Sequence, residues 1–356
     1  MGLPHTETLH EFSWCAFTSL CLSFATMMTR QGYRVILYDG QTTDAEVSEL
    51  VTCKLDPASN VAHIPDWDPM AFKPMTDHVI MQMRRRIEPG DMIMLSMGWS
   101  QQAIIEAFPR NIAVEYAAGY PGIAAKYRVF PSTAWRHAVY ARVNGGAVNC
   151  MRGEGLDAVI PHFLDPGKFP LGSGDGGYLA FIARLNEDKG IGIATELSRR
   201  SGVPLKVAGA GTAPAYGEYL GVLGPKERAE LMGGALAVVA PTLYCEPFGL
   251  VPVEAMMCGT PAITTDFGAF PETIPDGFRC HAMGEFTDAL GKAAEVDRGK
   301  LQAQTAARFS ADVIGPRYDA YLRRLQAALK PGGPALPGSG GEANGAAPPA
   351  AVRGAP

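Results

Sequence analysis

The stretch from Leu236 to Met257, LAVVAPTLYCEPFGLVPVEAMM, indicates the fold of this chain more clearly than any other segment. Residues 236–240 are all apolar and are followed by a proline, which predicts a short strand buried on both faces. Residues 251–257 predict a helix, and Gly249 lies in the loop between the two elements. A buried strand that leads through a loop into a helix is the repeating unit of α/β proteins with parallel sheets.

The rest of the chain repeats this alternation. Strands are predicted at residues 34–38, 92–96, 112–116, 158–161, 178–183, 205–209 and 262–265, and helices at 12–31, 76–87, 100–108, 190–201, 226–232 and 316–329. A glycine-rich segment at 172–177 separates two series of such elements. We therefore expect an α/β protein with two consecutive doubly wound units, whose ligands bind at the carboxyl ends of the strands.

The overall composition excludes several classes of protein. The chain has 356 residues, which corresponds to two domains of ordinary size. Its net charge of −5 does not support nucleic-acid binding through a basic surface, because such binding depends on Lys and Arg releasing counterions from phosphates. Residues 331–356 are mostly Gly, Pro and Ala, so we expect a disordered tail there.

Cysteine usage and hydropathy point to the interior of the cell. The seven cysteines are scattered and form no C-x-x-C pair, which is typical of reduced thiols. The most apolar early segment, residues 12–28, follows Glu7 and Glu11 instead of Lys or Arg and contains several Ser and Thr. These features fit neither a signal peptide nor a membrane span, and we expect a soluble, cytoplasmic protein.

Two carboxylates flank the start of the predicted helix in the motif Glu246-Pro-Phe-Gly-Leu-Val-Pro-Val-Glu254. Gly249 allows the backbone to approach a ligand closely, and the free N–H groups of a first helical turn attract anionic or hydroxyl-rich groups. A glutamate in a first turn usually only complements the helix dipole, so Glu254 alone is uninformative. The pair of glutamates, with Phe-Gly-Leu between them, indicates a binding site.

Two other motifs are interpreted as turns. Asp66-Trp67-Asp68 has the D-x-D pattern of a divalent-metal site, but prolines flank it on both sides and no strand precedes it, so we predict no metal site. The segment 207–214 contains G-x-G, but Pro214 stands where a dinucleotide-binding fingerprint has its third glycine.

The Glu246–Glu254 motif resembles the E-x7-E motif of retaining glycosyltransferases of the GT-B fold (family 4-like), the group that includes sucrose, mannosyl and glycogen synthases. Four further segments resemble motifs of this family and follow in the family's order: 160–165 (IPHFLD), 181–190 (FIARLNEDKG), 219–221 (YLG) and 266–272 (DFGAFPE). The resemblance covers about residues 158–325, and the residues before that resemble the family in architecture only.

The resemblance implies a GT-B architecture, in which two Rossmann-like domains face a central cleft and a C-terminal helix crosses back to the first domain. Residues 1–171 then form an acceptor-side domain, 172–313 a nucleotide-sugar donor domain and 314–330 the crossover helix. The implied reaction transfers a hexosyl group from a UDP- or GDP-hexose to an acceptor hydroxyl. It proceeds with retention of configuration, without a metal and without a further cofactor.

The resemblance also assigns roles to residues of the donor site. Arg184 can bind the leaving diphosphate through its planar guanidinium, and Lys189 can add a point charge beside it. By resemblance, Glu246 holds the donor sugar and Glu254 accepts hydrogen bonds from the ribose hydroxyls. The other donor-side candidates are Phe248, Gly249, Leu250, Gly221 and Gly268, and the acceptor-side candidates are His10, Tyr116 and His162.

The first half departs from the family pattern at two places. The family's first strand leads into a glycine-rich loop, whereas the corresponding segment here, Pro4–His10, contains no glycine; either the loop differs or the natural start lies upstream. The segment that follows the predicted strand at 112–116 contains no histidine, although the family has a donor-contacting histidine in its first domain.

The acceptor and two other functions stay open at this point. The acceptor could be a small molecule, a polysaccharide or, as in phage-type glycosyltransferases, a hydroxylated nucleobase in DNA. Epimerases of the GT-B fold lack the Glu-Pro-Phe-Gly-Leu arrangement, and phosphorylases carry a cofactor lysine in a longer chain. A nucleotide-sugar binding protein without turnover is the non-enzymatic alternative, which the missing loop glycines favour.

Overall fold

A computed structural model describes residues 1–4, 6–12, 15–54, 72–120, 122–143, 145–146 and 155–329. The D-x-D motif at 66–68 and the predicted tail at 331–356 lie outside the described residues.

The first half of the chain contains two parallel sheets. A two-stranded sheet is formed by β1 (Ile36–Asp39) and β2 (Glu49–Thr52), and a four-stranded sheet by β3 (Met92–Leu95), β4 (Ile112–Glu115), β5 (Tyr127–Phe130) and β6 (Ala158–Val159). The helices of this half are α1 (Ala16–Arg30), α2 (Lys73–Met83), α3 (Gln102–Ala107) and α4 (Thr133–Val143). All strand pairs are parallel, as the alternation of strands and helices predicts.

The second half is built on one six-stranded parallel sheet with the order β12-β11-β10-β7-β8-β9. Its strands are β7 (Leu179–Ile182), β8 (Leu205–Ala208), β9 (Glu218–Tyr219), β10 (Ala237–Ala240), β11 (Ala262–Thr265) and β12 (Arg279–Cys280). Its helices are α5 (Ile191–Ser201), α6 (Pro225–Gly234), α7 (Leu250–Met257), α8 (Phe270–Thr273), α9 (Met283–Ala293) and α10 (Arg298–Phe309).

Alternate residues of the central strand β7 pack on opposite faces of this sheet. Leu179 and Phe181 belong to one apolar cluster, and Ala180 and Ile182 belong to another. Because both faces are covered, the strand reads as a continuous apolar run in the sequence.

The order of the strands reverses between β7 and β10, and two loops meet at this point. We call residues 183–190, which follow β7, the Lys189 loop, and residues 241–249, which follow β10, the Glu246 loop. In open parallel sheets, ligands bind outside the carboxyl ends of the strands where the order reverses. The two segments that the sequence singled out therefore flank the position where this fold binds a ligand.

A long last helix, α11 (Ala311–Leu329), returns to the first half. Tyr318, Leu322 and Leu325 are buried with residues of α1 and β4 in one apolar cluster. The Tyr33 hydroxyl donates a hydrogen bond of 2.8 Å to Asp319 Oδ1. The sequence predicted the start of this helix at residue 316, but the helix begins at Ala311 and Pro316 lies inside it, where it removes one i→i−4 hydrogen bond.

Several elements of the structure were not predicted from the sequence. They are β2, β5, β9, β12, α4, α8, α9 and α10. The predicted elements are present, with ends that differ by a few residues; for example, α1 begins at Ala16 because a 3-10 turn occupies His10–Phe12.

Candidate active site

The Lys189 loop and the Glu246 loop are bonded to each other. The backbone N–H of Leu243 donates to the Asp188 carbonyl at 2.8 Å. Gly190 has φ of 76°, and a Cβ at this position would lie 2.2 Å from the Pro241 carbonyl oxygen. Only glycine permits this approach, which brings the two loops together at the reversal of strand order.

Lys189, Tyr244 and Glu246 form a compact charged cluster between these loops. Lys189 Nζ lies 3.1 Å from Glu246 Oε2, and the two side chains are 19% and 14% exposed. The ammonium also donates to the Tyr244 hydroxyl and lies 4.7 Å from the centre of the Tyr244 ring. Tyr244 was not singled out by the sequence, because its role depends on the approach of the other loop.

Arg184 extends from the Lys189 loop into solvent. Its side chain is exposed, and no hydrogen bond or ion pair joins it to the rest of the described chain. Burial and the Glu246 carboxylate raise the pKa of Tyr244, and the Arg184 guanidinium opposes this shift. Arg184 is therefore within electrostatic range of the cluster and available to an anionic ligand.

The backbone of the Glu246 loop is held by close contacts on both sides. Gly268 has φ of 62°, and a Cβ there would lie 2.2 Å from the Glu246 backbone nitrogen. The Ala269 N–H donates to the Glu246 carbonyl at 2.9 Å. Gly249 caps the start of α7 with φ of 83°, and its Cβ would lie 2.7 Å from the Phe270 ring. These contacts leave little freedom in the position of Glu246.

Phe248 anchors the Glu246 loop, and Leu250 begins the helix after it. The Phe248 side chain is 1% exposed and packs edge-on against Phe309 and His162, with centroid distances of 5.5 and 5.0 Å. The N–H groups in the first turn of α7 have no partner within the helix, as at every helix start. Phe248 therefore positions the loop with its side chain, and the backbone of residues 248–250 is the part that can contact a ligand.

Glu254 is buried one turn inside α7 and is paired with Arg228 of α6. One Arg228 nitrogen lies 3.0 Å from both carboxylate oxygens of Glu254. The pairing had no signal in the sequence, because the two residues are 26 positions apart and lie on different helices. Each carboxylate oxygen retains a lone pair that can accept a further hydrogen bond.

Gly221 lies at the edge of the second sheet, after β9. Its carbonyl accepts a hydrogen bond of 2.8 Å from the Gly209 N–H, so it borders the loop that follows β8. A Cβ added to Gly221 would have no neighbour within 4 Å, which means that the surface beside it is open.

The first half packs directly against the Glu246 loop. The Ser132 hydroxyl donates to the Pro247 carbonyl at 2.8 Å, and a Cβ built on Gly119 would lie 3.6 Å from the Pro247 side chain. The Glu272 carboxylate accepts hydrogen bonds of 2.9 Å from the Thr133 and Ala134 N–H groups at the start of α4. A glutamate of the second half thus caps a helix of the first.

The three acceptor-side candidates lie in different environments. His162 is buried against Phe248 at the contact between the two halves. Tyr116 is 3% exposed and stacks on Phe24 in the core of the first half, with 3.9 Å between ring centres. His10 is exposed, and its Nδ1 lies 3.3 Å from Lys168 Nζ. Of these three residues, only His162 contacts the Glu246 loop.

The burial of His162 predicts a pH-dependent stability. Burial lowers the pKa of His162 to about 3, whereas an unfolded histidine titrates near 6.5. Between these values the unfolded chain binds a proton that the folded chain does not, so stability falls as the pH drops below about 6.5. The expected loss at pH 5 is about 2 kcal/mol in the free energy of unfolding.

Urea unfolding at pH 7.5 and pH 5 measures this loss. His162→Gln, which keeps a polar side chain but does not titrate, should lose less stability than the wild type over the same interval. Equal losses of unfolding free energy in the two proteins would contradict the attribution of the pH dependence to His162.

A family model matches part of the second half of the chain. Residues 168–294 match the family model of glycosyl transferases group 1. This segment, about a third of the chain, is similar to members of that family. The predicted assignment to glycosyltransferases is thereby confirmed for the region that contains the Lys189 and Glu246 loops.

Solved structures resemble the chain over most of its length. Sucrose-phosphate synthase from Thermosynechococcus elongatus superposes with a TM-score of 0.68 at 15% identity and covers 87% of this chain and 94% of its own. AviGT4, a glycosyltransferase involved in avilamycin A biosynthesis, has a TM-score of 0.62 at 18% identity and covers 88% and 90%. HepE from Anabaena, solved with UDP-glucose, has a TM-score of 0.61 at 16% identity and covers 85% and 96%. The predicted GT-B fold is confirmed.

Curated relatives match a shorter segment. The D-inositol 3-phosphate glycosyltransferase of Mycobacterium tuberculosis is 35% identical over 85 residues, which is 22% of this chain and 18% of the relative. The match thus spans less than a fifth of that protein.

Membrane-spanning helices and clusters of metal ligands are both absent from the described residues. No helix among them is long and apolar enough to cross a membrane. Likewise, within the described ranges no three His, Cys, Asp or Glu side chains are grouped so that they could hold a metal ion.

Proposed function

We propose that this protein transfers a hexosyl group from a nucleoside-diphosphate sugar to an acceptor hydroxyl. The observation that carries the proposal is the Lys189–Glu246 pair, with the exposed Arg184 on the same loop as Lys189, at the reversal of strand order in a segment similar to glycosyl transferases group 1. UDP-hexose and GDP-hexose are the proposed donors, and the similarity to HepE, solved with UDP-glucose, supports the former.

Arg184 and Lys189 are proposed to bind the diphosphate of the donor. Arg184 is exposed and can form two parallel hydrogen bonds to phosphate oxygens. Lys189, which lies on the same loop, adds a second positive charge. Negative charge on the diphosphate grows as the sugar–phosphate bond breaks, so these cations stabilise the transition state more than the ground state.

Glu246 is proposed to bind the hydroxyls of the donor sugar. A diphosphate competes with Glu246 for Lys189, because the ammonium lies 3.1 Å from the carboxylate. When Lys189 turns towards phosphate, the Glu246 carboxylate becomes available to the sugar. The same cluster thus couples recognition of the diphosphate to recognition of the hexose.

Glu254 is proposed to accept hydrogen bonds from the ribose. Its carboxylate is held by Arg228, which fixes its direction while leaving acceptor capacity on both oxygens. Gly268 completes the donor side by leaving room for the Glu246 backbone, and Gly221 leaves the surface after β9 open.

Retention of configuration and independence of metal are part of the proposal. The acceptor is expected to attack from the side of the departing diphosphate, whose oxygen takes the acceptor proton. Proton NMR of the fresh product reports its anomeric configuration, and inversion would contradict the proposal. Activity that disappears with EDTA and returns with a divalent cation would contradict metal independence.

The decisive experiment is an assay with a panel of UDP- and GDP-hexoses. Hydrolysis or transfer is followed with and without an extract that supplies acceptors, and mass spectrometry identifies the products. Turnover with at least one donor supports the proposal. Calorimetric binding without turnover in any acceptor pool favours the non-enzymatic alternative, and neither binding nor turnover overturns both.

Replacing Arg184 by lysine should lower kcat/KM about tenfold without changing stability. Lysine keeps the positive charge but loses the planar pair of N–H groups that a phosphate accepts. Arg200→Lys is the matched control, since Arg200 is also exposed and makes a hydrogen bond to Glu196 on the surface of α5. Equal activities of the two variants would argue against a phosphate contact at Arg184.

A further inference from the structure

Trp99 is the most exposed Phe, Tyr or Trp side chain among the described residues, with 57% of its surface accessible. It follows the carboxyl end of β3 and packs against the segment that follows the carboxyl end of β4. We call residues 96–101 the Trp99 loop and residues 116–125 the Gly122 loop. A single exposed apolar side chain is ordinary on a protein surface, but Trp99 differs in how firmly its backbone is held and in what it borders.

The backbone of the Trp99 loop is fixed by Gln101 and by Gly98. The Gln101 side chain is fully buried. Its Oε1 accepts hydrogen bonds of 3.0 and 3.1 Å from the Ser96 and Met97 N–H groups. Gly98 has φ of 55°, and a Cβ there would lie 1.7 Å from the Gly122 carbonyl oxygen. A side chain at this position has no room, so glycine allows the two loops to touch.

The Gly122 loop is held by the buried carboxylate of Glu115. The Ala124 and Ala125 N–H groups donate to this carboxylate at 2.9 and 3.0 Å. The Tyr120 hydroxyl donates to its other oxygen. A buried carboxylate needs such donors to compensate for the loss of water. Three donors on one buried side chain therefore fix the loop on both sides of Gly122.

The Trp99 indole rests on the Gly122 loop. A Cβ built on Gly122 would lie 3.5 to 3.9 Å from three atoms of the indole, which is ordinary van der Waals contact. The Trp99 N–H donates to the Gly122 carbonyl at 3.0 Å. One part of the ring is thus supported by backbone, while more than half of the residue stays open to a ligand.

The Gly122 loop also borders the proposed donor site. Gly119 in this loop packs against the Glu246 loop, since a Cβ built on it would lie 3.6 Å from the Pro247 side chain. The Cα atoms of Gly119 and Gly122 are separated by at most about 11 Å, because three peptide units join them. Trp99 therefore lies on the first half, close to the loop that is proposed to hold the donor sugar.

The sequences of the two loops contain no charged residue. Residues 96–101 are SMGWSQ and residues 116–125 are YAAGYPGIAA. Lys126, which follows at the amino end of β5, has its ammonium 5.7 Å from the centre of the Tyr127 ring. Phosphorylated sugars and DNA are bound mainly through Lys and Arg. An uncharged surface with an open indole instead suits a neutral ligand that has an apolar face.

We propose that Trp99 binds the acceptor by stacking on the C–H face of a neutral pyranose ring. A pyranose presents C–H groups on its faces and hydroxyls around its edge, so the indole covers a face and leaves the hydroxyls free. The inference rests on the proposed function and narrows it. The acceptor is a neutral saccharide and not a phosphorylated sugar or a nucleobase in DNA.

Saturation-transfer NMR on the full chain, with UDP or GDP present, tests this contact. The probes are the methyl α- and β-pyranosides of glucose, galactose and mannose. The wild type should transfer saturation to the ring C–H protons of at least one probe. Trp99→Ala should lower that signal at least about fivefold, and Trp99→Phe, which keeps an aromatic face, should retain most of it.

Val143→Ala is the matched control for the loss of an exposed apolar side chain. Val143 is 55% exposed and is the last residue of α4, whereas the first residues of α4 contact the second half. This variant should give the wild-type signal. Thermal unfolding should show that each substitution changes Tm by no more than about 2 °C, because both side chains are exposed.

Donor binding separates this inference from the proposed function. A wild type that binds UDP- or GDP-hexose in calorimetry but none of the pyranosides would overturn the inference alone. The same holds if Trp99→Ala binds the pyranosides as the wild type does, or if transfer occurs only to glucose 6-phosphate or to an oligonucleotide with hydroxymethylcytosine. A wild type that neither binds nor hydrolyses any donor would overturn the proposed function, and the NMR signal would still decide whether Trp99 binds a pyranose.

Discussion

Lys189→Ala should lower kcat/KM for sugar transfer about 100- to 1000-fold, which is the usual effect of removing one preorganised donor to a developing negative charge. Lys189 packs over the Tyr244 ring beside the proposed diphosphate site, so its ammonium has only to turn from Glu246 to the phosphate when the donor binds. The loss should appear in kcat as well as in KM, because the interaction strengthens as the bond breaks.

Lys206→Ala is the matched control for this prediction. Lys206 also lies over a tyrosine ring, with 4.4 Å from Nζ to the centre of Tyr178, and also faces a glutamate, with 3.7 Å to Glu218 Oε2. It lies on β8, outside the two loops of the site. The control should keep its activity within a few-fold of the wild type, and similar losses in both variants would show that the Lys189 effect is structural.

Gly268→Ala should destabilise the protein and reduce activity at least 100-fold. A Cβ at this position meets the Glu246 backbone, 2.2 Å from its nitrogen and 2.5 Å from its carbonyl oxygen, and backbone cannot move aside without moving the loop. The positive φ adds a conformational cost of about 1 kcal/mol. A displacement of about 1 Å in the Glu246 loop is sufficient to reduce turnover by this factor.

Gly202→Ala is the control that separates the steric clash from the conformational cost of a positive φ. Gly202 has a similar φ of 71°, but a Cβ there has no neighbour within 4 Å. Thermal unfolding should show a small decrease in Tm for Gly202→Ala and a much larger one for Gly268→Ala, and only the latter should lose turnover. An active Gly268→Ala variant with wild-type Tm would contradict the proposed rigidity of the loop.

The elements that could be predicted from sequence share a local cause. The strands β7, β10 and β11 are short apolar runs bounded by Gly, Pro or polar residues, and the helix α7 follows directly after Gly249. A strand that is buried on both faces is apolar at nearly every position, so it can be recognised without knowing its distant partners.

The elements that were missed depend on distant partners. The strand β5 has the sequence Tyr127-Arg-Val-Phe130, in which a charged residue interrupts the apolar run. The charge of Arg128 is compensated within the fold because Asp157, on the segment leading into β6, lies 2.7 Å from its guanidinium. Pairing between residues so far apart cannot be seen in a local pattern.

The candidate site divides in the same way. Arg184, Lys189, Glu246 and Glu254 could be selected from the sequence because each stands in a recognisable motif beside a strand or a helix start. Arg228, Tyr244 and Glu272 could not, since Arg228 and Tyr244 act through contacts with those residues, and Glu272 acts on a helix of the other half.

The sequence by itself determined the α/β class, the two series of elements and the two loops that carry charge. It did so because helix and strand periodicity, glycine positions and buried apolar runs are written within a few consecutive residues. Only the tertiary structure decided that Lys189 pairs with Glu246, that Tyr116 belongs to the core and that Glu254 pairs with Arg228. These facts depend on the packing of elements that are far apart in the chain, which no local pattern encodes.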